Sequence, residues 1–266
     1  MFAATPIVVR GGGELGSAAA RLLFQCGFPV LVLERRPPLA VRRLVCFAEA
    51  VGSGQTAVEG VTGRRLRAAA IAELAGLPFV PVIVDPEGEC ITRFRPEVVV
   101  DARMAKHNLG TRCADAPLVI GLGPGFVAGE DVHAVIETQR GAEFGRVLWS
   151  GGAQADTALP TPVLGIGADR VLRAPRAGTF QGGCRIGALV PRGWRVGQVD
   201  GAPVNARSGG LVRGLLADAT PVEAGMKVGD IDPRGAAVDP ARLSDKGRAV
   251  AAGVLEAVLV RFKGRF

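Results

Sequence analysis

Residues 7–27 read IVVRGGGELGSAAARLLFQCG, and the order of residue types in this stretch decides the fold expected for the first half of the chain. Ile7, Val8 and Val9 form a short β-branched run, the composition of a buried strand. Three glycines follow at once. Residues 17–24 (SAAARLLF) then carry helical spacing, which Cys26-Gly27 ends. Gly11, Gly13 and Gly16 fit G-x-G-x-x-G, with Gly12 inside the same loop. Between a strand and a helix, the first glycine permits a tight turn and the second lets a pyrophosphate approach the backbone. The third lets helix and strand pack closely. The free amides at the helix start favour an anion. A second apolar run, 30–33 (VLVL), closes on Glu34, where an acid can bond a pair of ribose hydroxyls. Arg35 and Arg36 follow and offer cations for a 2′-phosphate instead. The competing reading is that these glycines serve packing alone. Glu14, within the loop, would repel a phosphate if it pointed inward.

Outward from this unit the alternation continues. Residues 66–76 (LRAAAIAELAG) have a helical composition, while 79–84, 98–100 and 118–120 are continuous apolar runs. Residues 132–137 and 147–149 are further strand candidates. Runs without polar alternation mark strands buried on both faces of a parallel sheet. Residues 1–168 are therefore expected to form a Rossmann-like, doubly wound α/β domain. From 169 to 234 helical periodicity disappears and glycines recur at close intervals (Gly178, Gly187, Gly193, Gly201, Gly209), so a small all-β module is expected. Residues 235–266 form a C-terminal helical segment. Ser244-Asp245 supplies its cap, and Val250, Val254, Leu255, Val258 and Leu259 repeat on one face.

Composition narrows the function classes. Of 266 residues 48% are hydrophobic and 21% charged, a globular balance that excludes whole-chain disorder. Tyr is absent and aromatics total 5%, which argues against a base-stacking surface. The net charge is +7, and all but four of the 32 basic residues are Arg, scattered along the chain. Nucleic-acid binding is therefore not expected, while affinity for an acidic ligand or partner stays open. Five cysteines, at 26, 46, 90, 113 and 184, lack C-x-x-C spacing, and there are two histidines. Neither a metal centre nor a disulfide framework is expected, and a reducing cytoplasm is the expected compartment. The first residues have no basic region ahead of an apolar core, and no uncharged apolar run is long enough for a bilayer; neither a signal peptide nor membrane association is expected.

Two polar stretches follow predicted strands: 101–111 (DARMAKHNLGT) and 121–126 (GLGPGF). In open α/β sheets, ligands sit outside the carboxyl ends of the strands. Asn108, Gly123 and Gly125 therefore join Gly11, Gly12, Gly13, Gly16 and Glu34 as candidates for cofactor binding. No catalytic residue is fixed by the sequence; Asp101, Lys106 and His133 are the candidates for proton transfer. G-x-S-x-G does not occur, which argues against a serine hydrolase.

The stretches 174–179 (APRAGT), 186–193 (IGALVPRG) and 204–212 (VNARSGGLV) resemble a barrel-sandwich, or biotinyl/lipoyl-like, module. A carrier of that kind needs a Lys at its exposed hairpin. The hairpin would fall near 200–203 (DGAP), which has none, so covalent biotin or lipoate is not expected and a static docking or ligand-binding role is.

The chain also resembles the YqeB-type proteins of selenium-dependent molybdenum hydroxylase systems over nearly all its length. The motifs are VVRGGGELGSAAARL (8–22), AVRRLVCFAEAV (40–51), ARMAKHNLGT (102–111), APLVIGLGPGFVAGEDVHAVIETQRG (116–141), RVLRAP (170–175), GDIDPR (229–234) and SDKGRAVAAGVLEAVL (244–259). The chain departs at Ala142, where similar sequences tend to carry His. The resemblance implies an accessory role in maturing a molybdenum hydroxylase, through cofactor handling or selenium or sulfur insertion. It implies a nucleotide or dinucleotide ligand, NAD(P) or the molybdenum cofactor, and the hydroxylase as client, with homo-oligomerisation left open. The alternative is a stand-alone NAD(P)-dependent oxidoreductase with Lys106 or His133 as its acid.

Overall fold

The β-branched run at 7–9 forms strand β1 (Ile7–Arg10), and the segment after the glycines forms α1 (Glu14–Gln25). A computed structural model describes residue 2, residues 4–157 and residues 159–265. The chain divides into two units. The first comprises 1–36, 46–156 and 243–266, and the second 37–45 and 157–242.

In the first unit, β2 (Val30–Glu34), α2 (Ala50–Ser53), β3 (Gln55–Val58), β4 (Val61–Arg65), β5 (Val80–Val84) and α3 (Glu89–Phe94) follow α1. Then come β6 (Val98–Asp101), β7 (Leu118–Leu122), β8 (Val127–Ala128), β9 (Ala134–Ile136), β10 (Val147–Leu148) and β11 (Gly151–Gly152). Nine of these strands form one sheet in the order β10-β9-β7-β6-β1-β2-β5-β4-β3. Its interior pairs are parallel, and its two outermost strands, β10 and β3, pair antiparallel.

This overturns the expectation of a Rossmann-like doubly wound domain followed by a biotinyl/lipoyl-like barrel. The sheet is large and mixed, and its two faces are covered by different means. On one face lie α1 and the last helix, α4 (Asp245–Arg261). On the other, Val8, Leu31, Leu33, Val99 and Val119 are closed over by Ile71, Leu74, Cys90, Phe126 and Val132. These covering residues come from irregular connections and from α3, which has only six residues. The helix expected at 66–76 is absent; a single 3-10 turn, Ala68–Ala70, stands there. Ile71 and Leu74 are buried, and Leu66 and Leu77 pack beside them. Using these four as separate anchors overrides the helical propensity of the alanines.

The second unit contains β12 (Val171–Arg173), β13 (Gly178–Gly182), β14 (Leu189–Val190), β15 (Arg195–Val199), β16 (Ala202–Asn205), β17 (Gly210–Leu215), β18 (Thr220–Val222) and β19 (Lys227–Asp232). They form two four-stranded antiparallel sheets, β12-β19-β17-β14 and β16-β15-β13-β18. Phe180, Val196, Val199, Val212, Leu215, Val228 and Ile231 build one core between them. The module expected at 169–234 is not self-contained. Val41, from the detached segment 37–45, packs on this core, and its carbonyl accepts the Leu215 amide at 2.8 Å.

The C-terminal segment belongs to the first unit. Ser244 caps α4 by accepting the Gly247 amide at 3.0 Å. The buried stripe is Val250, Val254, Ala257 and Val258, whereas Leu259 is 38% exposed. Small residues let α4 approach closely: a Cβ on Gly247 would lie 3.3 Å from that of Ala18. On Gly253 it would collide with the Gly145 carbonyl oxygen. Gly253→Ala is therefore expected to lower stability by about 1–3 kcal/mol, against a helix-propensity gain of about 1 kcal/mol. Thermal melting checks this; an unchanged or higher Tm would show that the 145 loop yields.

Candidate functional site

The glycine loop leaves the carboxyl end of β1, and its members play different parts. Gly11 has φ +99°, a left-handed conformation that suits glycine, and its amide donates to the Leu33 carbonyl at 2.7 Å. A Cβ there would lie 2.9 Å from the Ala102 carbonyl oxygen. The Gly12 amide donates to Glu34 Oε2 at 2.8 Å, and its carbonyl accepts from Ala48 N at 2.9 Å and Ser17 Oγ at 2.8 Å. A Cβ on Gly16 would meet the Gly11 carbonyl oxygen and, at 2.9 Å, Ala102 Cβ. Gly11, Gly12 and Gly16 thus allow the protein's own atoms to pack closely. Gly13 differs. It is the N-cap of α1, has extended backbone, carries no side-chain cap, and has nothing within 4 Å of where a Cβ would stand. Glu14 turns away from the loop, and its Oε1 accepts the Ser244 amide at 2.9 Å.

Glu34 holds the loop from β2. Besides Gly12, it accepts the Arg35 amide at 2.7 Å. Burial pushes its carboxyl above the usual range, although the two amides and Arg35 pull the other way. Sequence reasoning missed Ser17. Its fully buried hydroxyl also accepts the Phe47 amide at 2.7 Å and so pins residues 46–48 over Gly12. A serine at the head of an alanine run on a buried helix face is the one signal that could have found it.

Asp101, at the end of β6, is a brace. Its carboxylate takes Arg103 Nη2 at 2.6 Å and the Thr111 hydroxyl at 2.7 Å, while Arg10 Nη1 donates to Thr111 Oγ1 at 2.9 Å. Burial alone would raise its pKa, but Arg103 and Thr111 hold it below the usual carboxylate range. Asn108 closes the following turn, exchanging two 2.8 Å bonds with the Thr111 backbone. Lys106 is paired with Asp156 at 2.6 Å. Gly123 and Gly125 make room for protein: a Cβ would lie 2.6 Å from Thr138 Oγ1 at the first and 2.6 Å from His107 N at the second.

His133 lies apart. It precedes β9, at the amino end of the parallel strands and so opposite the glycine loop, and its Nδ1 accepts the Val119 amide at 3.0 Å. Burial and Arg261 lower its pKa. A groove of about 560 Å³ at that amino end is lined by Arg95, Glu97, Cys113 and Asp115 among others, and by none of the candidates. Lys246, in the first turn of α4, is a further group the sequence did not single out. Burial and Arg140 lower its pKa, while Glu137, Glu14 and Asp156 act in the opposite sense. Among the described residues, no group of three or more His, Cys, Asp or Glu could hold a metal ion, and no helix is long and apolar enough to cross a membrane.

No family model matches the chain. Over 255 residues, 96% of its length, it is 45% identical to the uncharacterized protein YqeB of Escherichia coli K12, which supports the YqeB-type resemblance of its motifs. The chain spans about half, 47%, of the length of that relative. Among solved structures it is similar to an aspartoacylase family protein from Mesorhizobium loti, 12% identical with a TM-score of 0.27, covering 85% of this chain and 84% of the other. A succinylglutamate desuccinylase/aspartoacylase from Rhodobacter sphaeroides is 16% identical with a TM-score of 0.25, covering 85% and 84%. The ectoine utilization protein EutE from Ruegeria pomeroyi is 14% identical with a TM-score of 0.25, covering 85% and 86%. Likenesses at these scores carry no argument about chemistry.

Proposed function

We propose that this protein is an accessory factor in the maturation of a molybdenum hydroxylase, and that its first unit binds a nucleotide-bearing ligand at the start of α1. The ligand class covers a free mono- or dinucleotide and the nucleotide form of the molybdenum cofactor. The observation that carries the reading is Gly13: alone among the loop glycines, its surroundings are open at the amide end of a twelve-residue helix. Helix amides and the macrodipole favour a phosphate there. Glu14 supports the reading by turning its charge away, tied to Ser244. Glu34 would take ribose hydroxyls on the lone pairs that its two amide bonds leave over. The motif resemblance supplies the process, and the second unit would hold the client.

Calorimetry with NAD, NADP and mononucleotides, together with the activity and cofactor content of the hydroxylase from a deletion strain, tests this. The expected result is binding of at least one nucleotide below about 1 mM (about −4 kcal/mol) and a hydroxylase deficient in cofactor. No nucleotide binding and a normal hydroxylase would reject the reading. Hydride transfer to NAD(P) by the purified protein would replace it with a stand-alone oxidoreductase.

A further inference from the structure

The positive charge of the chain is concentrated in one place. The second unit holds twelve Arg and one Lys against six Asp and one Glu, a net +6 of the chain's +7, leaving +1 for the first. Most of its acids are already engaged. Asp230 pairs with Arg170 at 2.8 Å, Asp232 with Arg234 at 2.7 Å and Asp169 with Arg207 at 3.0 Å. Asp200 and Asp218 accept the amides of Thr179 and Gly182. Arg42 is buried and Arg43 half-buried, donating to backbone carbonyls, so most of the excess falls on exposed arginines. Arg195 reaches the Gln198 side-chain oxygen, not a carboxylate, and among the described residues Arg185 and Arg192 have no carboxylate partner.

Two of these arginines share a turn with large apolar side chains. Leu189, at the start of β14, is 62% exposed, and Trp194, just before β15, is 53% exposed. The turn between them is pinned by its backbone. The Gly193 amide donates to Ala206 O at 2.7 Å, the Ala206 amide to Trp194 O at 2.8 Å, and the Trp194 amide to Pro191 O at 3.2 Å. Exposed Trp and Arg on a pre-organised turn are the residue types that dominate binding energy at protein interfaces.

We propose that Leu189, Arg192, Trp194 and Arg195 form a docking site for an acidic protein surface that carries an apolar side chain. The charge excess selects a negative partner, and Trp194 with Leu189 selects one with something apolar to bury. A nucleic acid fits less well, because single-strand recognition uses several stacking aromatics and this turn offers one. The inference rests on the docking role given above to the second unit and is independent of the glycine loop.

The test uses the full chain with Trp149→Phe, which leaves Trp194 as the sole tryptophan reporter. The probe is a synthetic peptide of about a dozen residues, rich in Glu and Asp with two Leu. Binding should shift the Trp194 emission and weaken as salt rises from about 50 to about 200 mM. Arg195→Glu, and Trp194→Ala followed with a labelled peptide, should each weaken binding about tenfold or more. Arg176→Glu is the control. It makes the same charge change at the other end of the sheet, beyond the Gly178 end of β13, and binding should stay within about twofold. Far-UV dichroism confirms that each variant folds. An equal loss in Arg176→Glu would reduce the effect to net charge and overturn the site. Absence of peptide binding, or tighter binding to single-stranded RNA or to anionic vesicles, would overturn the partner. Nucleotide calorimetry on the same variants should be unchanged, so failure of this site and failure of the glycine loop are told apart.

Discussion

Gly13→Asp is expected to abolish nucleotide binding while leaving the protein as stable as before or slightly more so. The position has extended backbone and open space, so a side chain enters without collision. Asp is a good N-cap, better than Gly by a few tenths of a kcal/mol, and a negative charge at a helix start adds about 0.3–1 kcal/mol. The same carboxylate would stand where the proposed phosphate lies. Two unit charges about 4 Å apart near a protein surface repel by about 4 kcal/mol, so a loss of about a hundredfold or more is expected in calorimetry. Gly13→Ser caps the helix without the charge and should bind within a few fold of the parent. A Gly13→Asp protein that melts normally and still binds nucleotide would place the ligand elsewhere.

Asp101→Ala is expected to lower stability by about 3–5 kcal/mol, the cost of removing one partner from a buried ion pair. Asp101 is 1% exposed, the side chain of its ion-pair partner Arg103 is 17% exposed, and Arg10, 5% exposed, joins them through the Thr111 hydroxyl. Without the carboxylate, the guanidinium groups of Arg10 and Arg103 would face each other across Thr111 with no intervening negative charge. Arg10 already has its pKa lowered by burial and by Arg103, and Asp101 is the strongest of the groups acting in the opposite sense. Because the Asp101 pKa is lowered in the fold, its contribution is fully present above its unfolded value, about 4. It is lost as pH falls through the folded value. Denaturant unfolding should therefore give a constant gap between parent and variant near neutrality and a narrowing gap below about pH 4. A gap that widens in acid would contradict this assignment. Arg103→Ala on top of Asp101→Ala should cost less than Arg103→Ala alone, because the two share one interaction.

The parts of the fold legible in the sequence are those whose residues carry their own pattern. The runs at 7–9, 30–33 and 118–120 are apolar without interruption and became central strands, and Ser244 became the cap of α4 as its neighbours suggest. What stayed hidden depends on partners far away in the chain. Nothing near Glu14 says that its carboxylate answers to Ser244, 230 residues on, and nothing in 66–76 says that the surface beneath rewards four anchors more than a helix. The candidate site shows the same division. The loop at 11–16 and the acid at 34 lie together as read, but Gly123 and Gly125 were glycines for the sake of Thr138 and His107. Asp101, which looked like a reactive carboxylate after a strand, is spent on Arg103. His133 is a proton-transfer candidate by residue type alone, which takes no account of the end of the sheet on which a residue emerges.

The excursion of residues 37–45 into the second unit has a consequence for synthesis on the ribosome. These nine residues emerge more than a hundred positions before the rest of their core, and Val41 must wait for Leu215 and its neighbours. The first unit waits longer, since α4 covers α1 only after residue 243 has been made. Neither half can be matured in the order of translation, and the nascent chain must carry an open hydrophobic sheet face until its late segments arrive.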